Sequence, residues 1–423
     1  MIGGGAVRCL FPPPAINWLF IQLKDAPMPT RTIPIIPALP SGHGPPARKG
    51  RGTTLRIAHR FAHDNRGAFD DGWATLDDEA LAAGQAPPPA TTVTEESVKS
   101  LLTRNPSPDI PFALSLNPYR GCEHGCIYCY ARPTHSYLDL SPGLDFETRL
   151  IAKVNAASVL ERELARPGYA PSPIAIGSVT DAYQPIERRL RITRAVLQVL
   201  GDCAHPYTVI TKSAGIERDI DLIAPAAQAG RAWVSVSITT LDGALARILE
   251  PRAASPARRL QAVRALSGAG IAVGVNVAPI IPFINDGDIE HIVEAAAQAG
   301  ASSVHHTVLR LPWEVAPLFR QWLETHFPAR AGRVMARVQD LHGIEAAQRT
   351  PHAGRTARDY DARFGQRMHG TGPWADLIRQ RIAKVSARCG LPRGGLPALN
   401  CSAFRRPAAW QAVGDARQAS LFD

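Results

Sequence analysis

Between about Pro111 and Leu311, short apolar runs alternate with stretches whose apolar residues recur at helical spacing. That alternation predicts βα repeats and a parallel sheet. The candidate strands are Phe112–Leu116, Ile174–Ser178, Tyr207–Thr211, Trp233–Ile238, Ile271–Val277 and Ser303–Leu309, and helices such as Thr148–Leu164, Glu187–Cys203 and Asp286–Ala299 lie between them. Six such units make an α/β fold, a partial (β/α)6 barrel open on one side. In barrels of this kind the residues at the C-terminal ends of the strands carry the chemistry. Past the last strand the pattern predicts helices over Trp313–Phe327 and Ala329–Leu341, then a looser stretch rich in Gly, Arg and His from His352 to Trp374. Within it, Arg363–Gly372 reads either as a lid over the open side or as a solvated loop.

Composition divides the 423 residues into three parts. Residues 1–105 are Pro-rich and expected to be partly disordered, 106–311 hold the barrel, and 312–423 form a helical, basic extension. Met28 looks like an ordinary start, so residues 1–27 are expected to be an upstream extension. No apolar run approaches the roughly 20 residues that a bilayer requires, the best being Ala15 to Leu23. The net charge is +10, and from Pro328 to Asp423 there are 16 Lys or Arg against 7 Asp or Glu, a local balance of +9. A second basic knot, Arg48, Lys49 and Arg51 with Arg56 and Arg60, precedes the barrel. Such clusters suit phosphate backbones, or simply a solvated face of an Arg-rich chain.

The candidate chemistry starts from Gly121-Cys122-Glu123-His124-Gly125-Cys126-Ile127-Tyr128-Cys129-Tyr130, which spaces three cysteines C-x3-C-x2-C just after the first barrel strand. Structural zinc is one reading, with His124 and His135 nearby, but no second Cys or His pair stands at zinc-finger spacing. Disulfides are a poorer one. Seven cysteines is an odd number, and no secretory signal precedes them, so a reducing cytoplasm is expected. Polar residues cluster at the other strand tips: Thr180 and Asp181 after the second, Lys212 after the third, Ser237 on the fourth. Singly, each is also an ordinary cap or turn residue.

The cysteine spacing resembles the signature of the radical S-adenosylmethionine (radical SAM) enzymes. Thr180–Glu187, Ile210–Ser213, Arg218–Leu222, Ser237–Asp242, Glu250–Arg252 and Ala278–Pro282 look like the subgroup related to spore photoproduct lyase, the DNA repair photolyase-like proteins. The resemblance implies a [4Fe–4S] cluster on Cys122, Cys126 and Cys129, its fourth iron left open for SAM. It also implies Lys212 as partner of the SAM carboxylate, Ser237 as the strand-four contact, and Tyr128 as the aromatic whose backbone lies near the adenine; the strand-tip position of Thr180 and Asp181 suits either to the SAM ammonium. A low-potential electron donor such as flavodoxin or ferredoxin is implied too. One departure stands out. Where those lyases carry a cysteine hydrogen donor, this chain has Gly177-Ser178-Val179. Of the spare thiols, Cys203 reads as core, and Cys401 is the candidate replacement donor.

The last residues, Gln418-Ala419-Ser420-Leu421-Phe422, resemble the peptide by which bacterial repair proteins dock on the DNA sliding clamp, with Gln418, Leu421 and Phe422 as anchors. Three functions follow: a radical SAM enzyme acting on nucleic acid in a repair-like reaction, one acting on a protein or small molecule, and a non-catalytic zinc protein that binds nucleic acid.

Overall fold

A computed structural model describes residues 50–53, 55–61, 90–349, 358–392 and 398–407. The proposed start at Met28, most of the Pro-rich segment and the Gln418–Phe422 peptide lie outside them.

The described residues form ten strands: β1 (Thr92–Glu96), β2 (Thr103–Arg104), β3 (Leu114–Leu116), β4 (Tyr119–Arg120), β5 (Arg149–Lys153), β6 (Ile174–Ile176), β7 (Tyr207–Thr211), β8 (Ala232–Ser237), β9 (Val273–Ile280) and β10 (Ser303–Val308). The six expected strands are β3 and β6 to β10, and each lies beside the next in a seven-stranded sheet of order β10-β9-β8-β7-β6-β3-β2. All of its pairings are parallel except β2 with β3. The helices that cross between them are α1 (Ala156–Ala165), α2 (Ile192–Asp202), α3 (Ile220–Gln228), α4 (Gly243–Leu249), α5 (Pro256–Gly268) and α6 (Ile289–Gln298). After β10 come α7 (Val315–His326), α8 (Ala331–Leu341) and α9 (Gly372–Arg388), the last packed on α6.

Period-two alternation gives the sheet two unlike faces. Leu114, Leu116, Ile174, Ile176, Val209, Val234, Val236, Val273, Val275 and Val277 join the main hydrophobic core beneath the helices. Their neighbours along the strands, including Thr208, Ser235, Ser237, Asn276 and His305, line an open cavity instead. Ser237 pairs with Asn276, and Asn276 with His305, so a polar row crosses three strands at one level. The inside of this barrel is therefore an open groove crossed by a polar row rather than packed core.

The expected helix from Thr148 starts late. Arg149–Lys153 is a strand, parallel to β1 and antiparallel to β4, in a second, three-stranded sheet. β1 and β2 belong to the part expected to be loosely ordered, yet both are tied into the sheets. Of the basic knot, Arg51 and Arg60 are turned inward. Arg51 donates to the Glu147 carbonyl at 2.9 Å, the Gly52 amide to the Glu147 carboxylate at 2.9 Å, and Arg60 pairs with the fully buried Glu314 at 2.9 Å. Of the arginines proposed for phosphate, Arg51 and Arg60 brace the fold, and Arg56 pairs with Asp145 at 3.2 Å.

A three-thiol loop at one end of an open cavity

The cysteine loop follows β4 and is fixed by backbone contacts from three sides. Cys122 N–H donates to the Phe146 carbonyl at 2.9 Å, Ile127 N–H to Leu249 at 3.1 Å, and Arg252 N–H to the His124 carbonyl at 3.2 Å. Gly121 has φ +76° and lies so close to His135, Leu150 and Phe146 that a Cβ would come within 3 Å of each. A side chain there would be strained and crowded. Gly52 approaches the loop as closely: a Cβ on it would sit 1.8 Å from the Gly125 oxygen.

Two buried charged groups set the loop's shape. Arg132 is fully buried; it donates to the Cys126 carbonyl at 3.0 Å, to Gly143 at 2.9 Å and to Gly125 at 3.3 Å, and forms an ion pair with Glu147. The second is Glu250, which accepts from the Tyr128 and Thr239 hydroxyls and pairs with Arg259. Burial alone would raise the Glu250 carboxyl, but the positive Arg259 and Lys212 and these hydrogen bonds hold it at about 2. Gln184 completes the frame, accepting from Glu123 N–H at 2.9 Å and donating to the Gly121 carbonyl at 3.2 Å. The Gln-Pro and Glu-Pro-Arg motifs thus serve the loop rather than a ligand. Arg132 and Glu147 carried no signal in the sequence, because their meaning rests on burial.

Cys122, Cys126 and Cys129 all line the cavity, whose volume is about 1550 Å³. All three are free thiols. Burial pushes Cys126 up to about 12 and Cys122 well above its ordinary value, so their thiolates need a cationic centre to compensate the charge. Among the described residues, no group of three or more His, Cys, Asp or Glu is placed to hold a single metal ion. A multi-iron cluster asks for no such convergence, since each thiolate binds a different iron. Three free thiols in one loop are a donor set that suits such a cluster.

The strand-tip residues are gathered on the same cavity: Thr180, Asp181, Lys212 and Ser237 line it with Tyr128. Lys212 is half-buried, its Nζ 5.9 Å from the Tyr128 ring centre. Burial disfavours its charge, but the negative Cys126 and Glu250 outweigh that and raise it. Asp181, expected to meet the ammonium, already accepts from the Thr211 hydroxyl at 2.8 Å, Lys212 N–H at 2.7 Å and Tyr183 N–H at 2.9 Å, with His124 at 3.3 Å. Burial would raise it, yet His124 and these donors hold it at about 2. Its carboxylate orients the strand-three tip. Thr180 donates to the Tyr119 carbonyl at 3.3 Å.

Cys203 is core, as expected. Cys401 touches the cavity at its far end. Its neighbours Asn400 and Arg405 hydrogen-bond to Gly230 and Cys203, which precede β8 and β7, so this segment lies by the N-terminal ends of the strands. The three-thiol loop is by the C-terminal ends. The expected hydrogen donor thus shares the cavity with the three thiols but stands toward its opposite end.

The stretch expected as a lid spans the sheet's open side. Val308 N–H at one edge donates to the Met368 carbonyl at 2.9 Å, and Arg367 pairs at 2.7 Å with Asp109, in the loop between β2 and β3 at the other edge.

Residues 116–296 match the family model described as the radical SAM superfamily. An uncharacterized protein of Mycobacterium tuberculosis is 37% identical over 245 residues, 57% of this chain and 72% of that one. Another, from Methanocaldococcus jannaschii, is 27% identical over 213 residues, covering 50% of this chain and 76% of its own. Among solved structures, spore photoproduct lyase complexed with dinucleoside spore photoproduct aligns with a TM-score of 0.48 at 16% identity, over 70% of this chain and 79% of the other. Three free thiols in one braced loop, at the strand tips of a six-stranded parallel half-barrel that the family model matches through β9, give one conclusion: the chain belongs to the radical SAM superfamily and is an enzyme.

Proposed function

We propose that Cys122, Cys126 and Cys129 hold a [4Fe–4S] cluster, and that the enzyme uses SAM to abstract a hydrogen atom from a nucleic-acid substrate. When bound, the cluster and SAM supply a 5'-deoxyadenosyl radical, the protein's share being position and shielding. Lys212 stands to pair with the SAM carboxylate and Ser237 to hydrogen-bond it, while Asp181 keeps the Lys212 backbone in place. Tyr128, tied to Glu250, fixes the loop between the second and third thiols.

The observation that carries the reading is the cavity. At about 1550 Å³ it exceeds the roughly 300–1,000 Å³ of ordinary small-ligand sites, so a second, larger substrate fits beside SAM. Its walls carry Arg104, Arg166 and Arg310, while the lining acids are engaged: Asp109 with Arg367, Asp181 as above, and Glu163 with the Ser100 hydroxyl and the Leu101 and Leu102 amides. That balance favours an anionic substrate. Repair of a damaged base is the finer form of this reading, with a reduced flavodoxin or ferredoxin as electron source.

Oligonucleotides built from deuterated nucleosides provide the test. Deuterium is expected in 5'-deoxyadenosine after anaerobic turnover. Transfer from deuterated peptides or small metabolites, with none from DNA or RNA, would move the substrate to another class.

A further inference from the structure

Three exposed aromatic rings surround one arginine on the surface, and one of them, Trp313, is three residues beyond the cavity-lining Arg310. Phe61, Tyr137 and Trp313 are 42%, 68% and 59% exposed. The Arg60 guanidinium carbon lies 4.7, 5.3 and 4.3 Å from their respective ring centres, and Phe61 and Tyr137 are 5.2 Å apart. The rings come from three distant parts of the chain, and one carboxylate gathers them. Glu314, fully buried, accepts from Arg60 N–H at 3.2 Å, from the Arg60 guanidinium at 2.9 Å and from the Ser136 hydroxyl at 3.5 Å. Each aromatic is thus the chain neighbour of a group in this hub: Phe61 follows Arg60, Tyr137 follows Ser136, and Trp313 precedes Glu314. Trp313 is held at φ +46°, a conformation bulky residues avoid, and it is turned to solvent rather than to the core. Burying rings is what folding favours, so a surface that organises three of them outward is built for contact.

We propose that Phe61, Tyr137 and Trp313 form a base-stacking platform that holds a single nucleic-acid strand as it enters the cavity. This rests on the nucleic-acid reading above. Three features favour a strand of bases as the occupant. The rings offer π faces, which every base can use. Arg60 spends its charge on Glu314, so the platform itself supplies stacking, while phosphate attraction comes from a chain of net charge +10 and from the cavity arginines. A second arginine–aromatic pair stands near in the chain: three residues before Trp313, Arg310 lies 4.5 Å over Tyr130, and both line the cavity.

Fluorescence anisotropy of a labelled single strand of 12 nucleotides, in DNA and RNA versions, on the anaerobically reconstituted protein tests this. Trp313→Ala is expected to weaken binding by about 5- to 150-fold, the range for one base–aromatic stack. Trp313→Phe should bind close to wild type. The salt dependence of log Kd should keep its slope, since no phosphate contact is lost. The DNA and RNA arms say which strand is held. Alanine variants at Trp313 and Tyr137 that bind like wild type overturn the platform and leave the nucleic-acid reading standing. Wild-type protein that binds neither strand overturns that reading and the platform with it. A Trp313→Phe variant as weak as the alanine one, or a shallower slope, also sinks the proposal, because stacking is then not what was removed.

Discussion

Alanine at Cys126 is expected to reduce cluster iron and 5'-deoxyadenosine formation to background, and alanine at Cys122 or Cys129 to do the same. Each thiolate is needed for a separate iron, and Asp181, the acid beside the loop, is committed to protein donors, which leaves it no free coordination for a replacement. Cys203→Ala is the control. It lies in the hydrophobic core, so its loss should cost on the order of 1 kcal/mol of stability and leave the iron content unchanged. Iron and sulfide analysis with chromatographic detection of 5'-deoxyadenosine reads all four variants. Normal cluster content in any of the three loop variants would break the assignment.

Replacing Arg132 by methionine is the second large effect, expected to destabilise the protein by about 3–5 kcal/mol and to lower cluster occupancy. The substitution strands Glu147, fully buried, without its partner and leaves the carbonyls of Gly125, Cys126 and Gly143 without their donor. Burial already pushes the Glu147 carboxyl above its ordinary value even with the arginine present. The double variant Arg132→Met with Glu147→Met removes the lone charge and should regain part of the loss. Thermal melting of the three proteins decides it. A single variant as stable as wild type would mean that the pair does not brace the loop.

How far the sequence reached follows from the range of the interactions. The barrel strands were legible because each is a local apolar run, and Tyr207–Thr211 was placed with both ends correct. Arg149–Lys153 was not, since its strand character depends on a partner at Thr92–Glu96, and its own residues suit a helix equally well. Arg51 and Gly52 look like a solvated basic linker until they meet Glu147, some 95 residues away. The site divides in the same way. The three thiols, Lys212 and Ser237 could be named because spacing and strand-tip position are written in the chain. Arg132, Glu147 and Glu314 are ordinary charged residues in sequence, and only burial gives them a role. Cys401 could be named as a thiol, but sequence says nothing about which end of a barrel a returning segment will touch, and its place on the cavity toward the N-terminal strand ends comes from the fold.

The claim that three thiolates leave one iron open for SAM is tested most directly by Mössbauer spectroscopy of protein reconstituted with 57Fe, recorded before and after adding SAM. The account predicts one four-iron cluster per chain in which a single iron changes its signal when SAM binds, the other three staying as they were. A protein that takes up one zinc without sulfide, or a cluster whose four irons all ignore SAM, would contradict it.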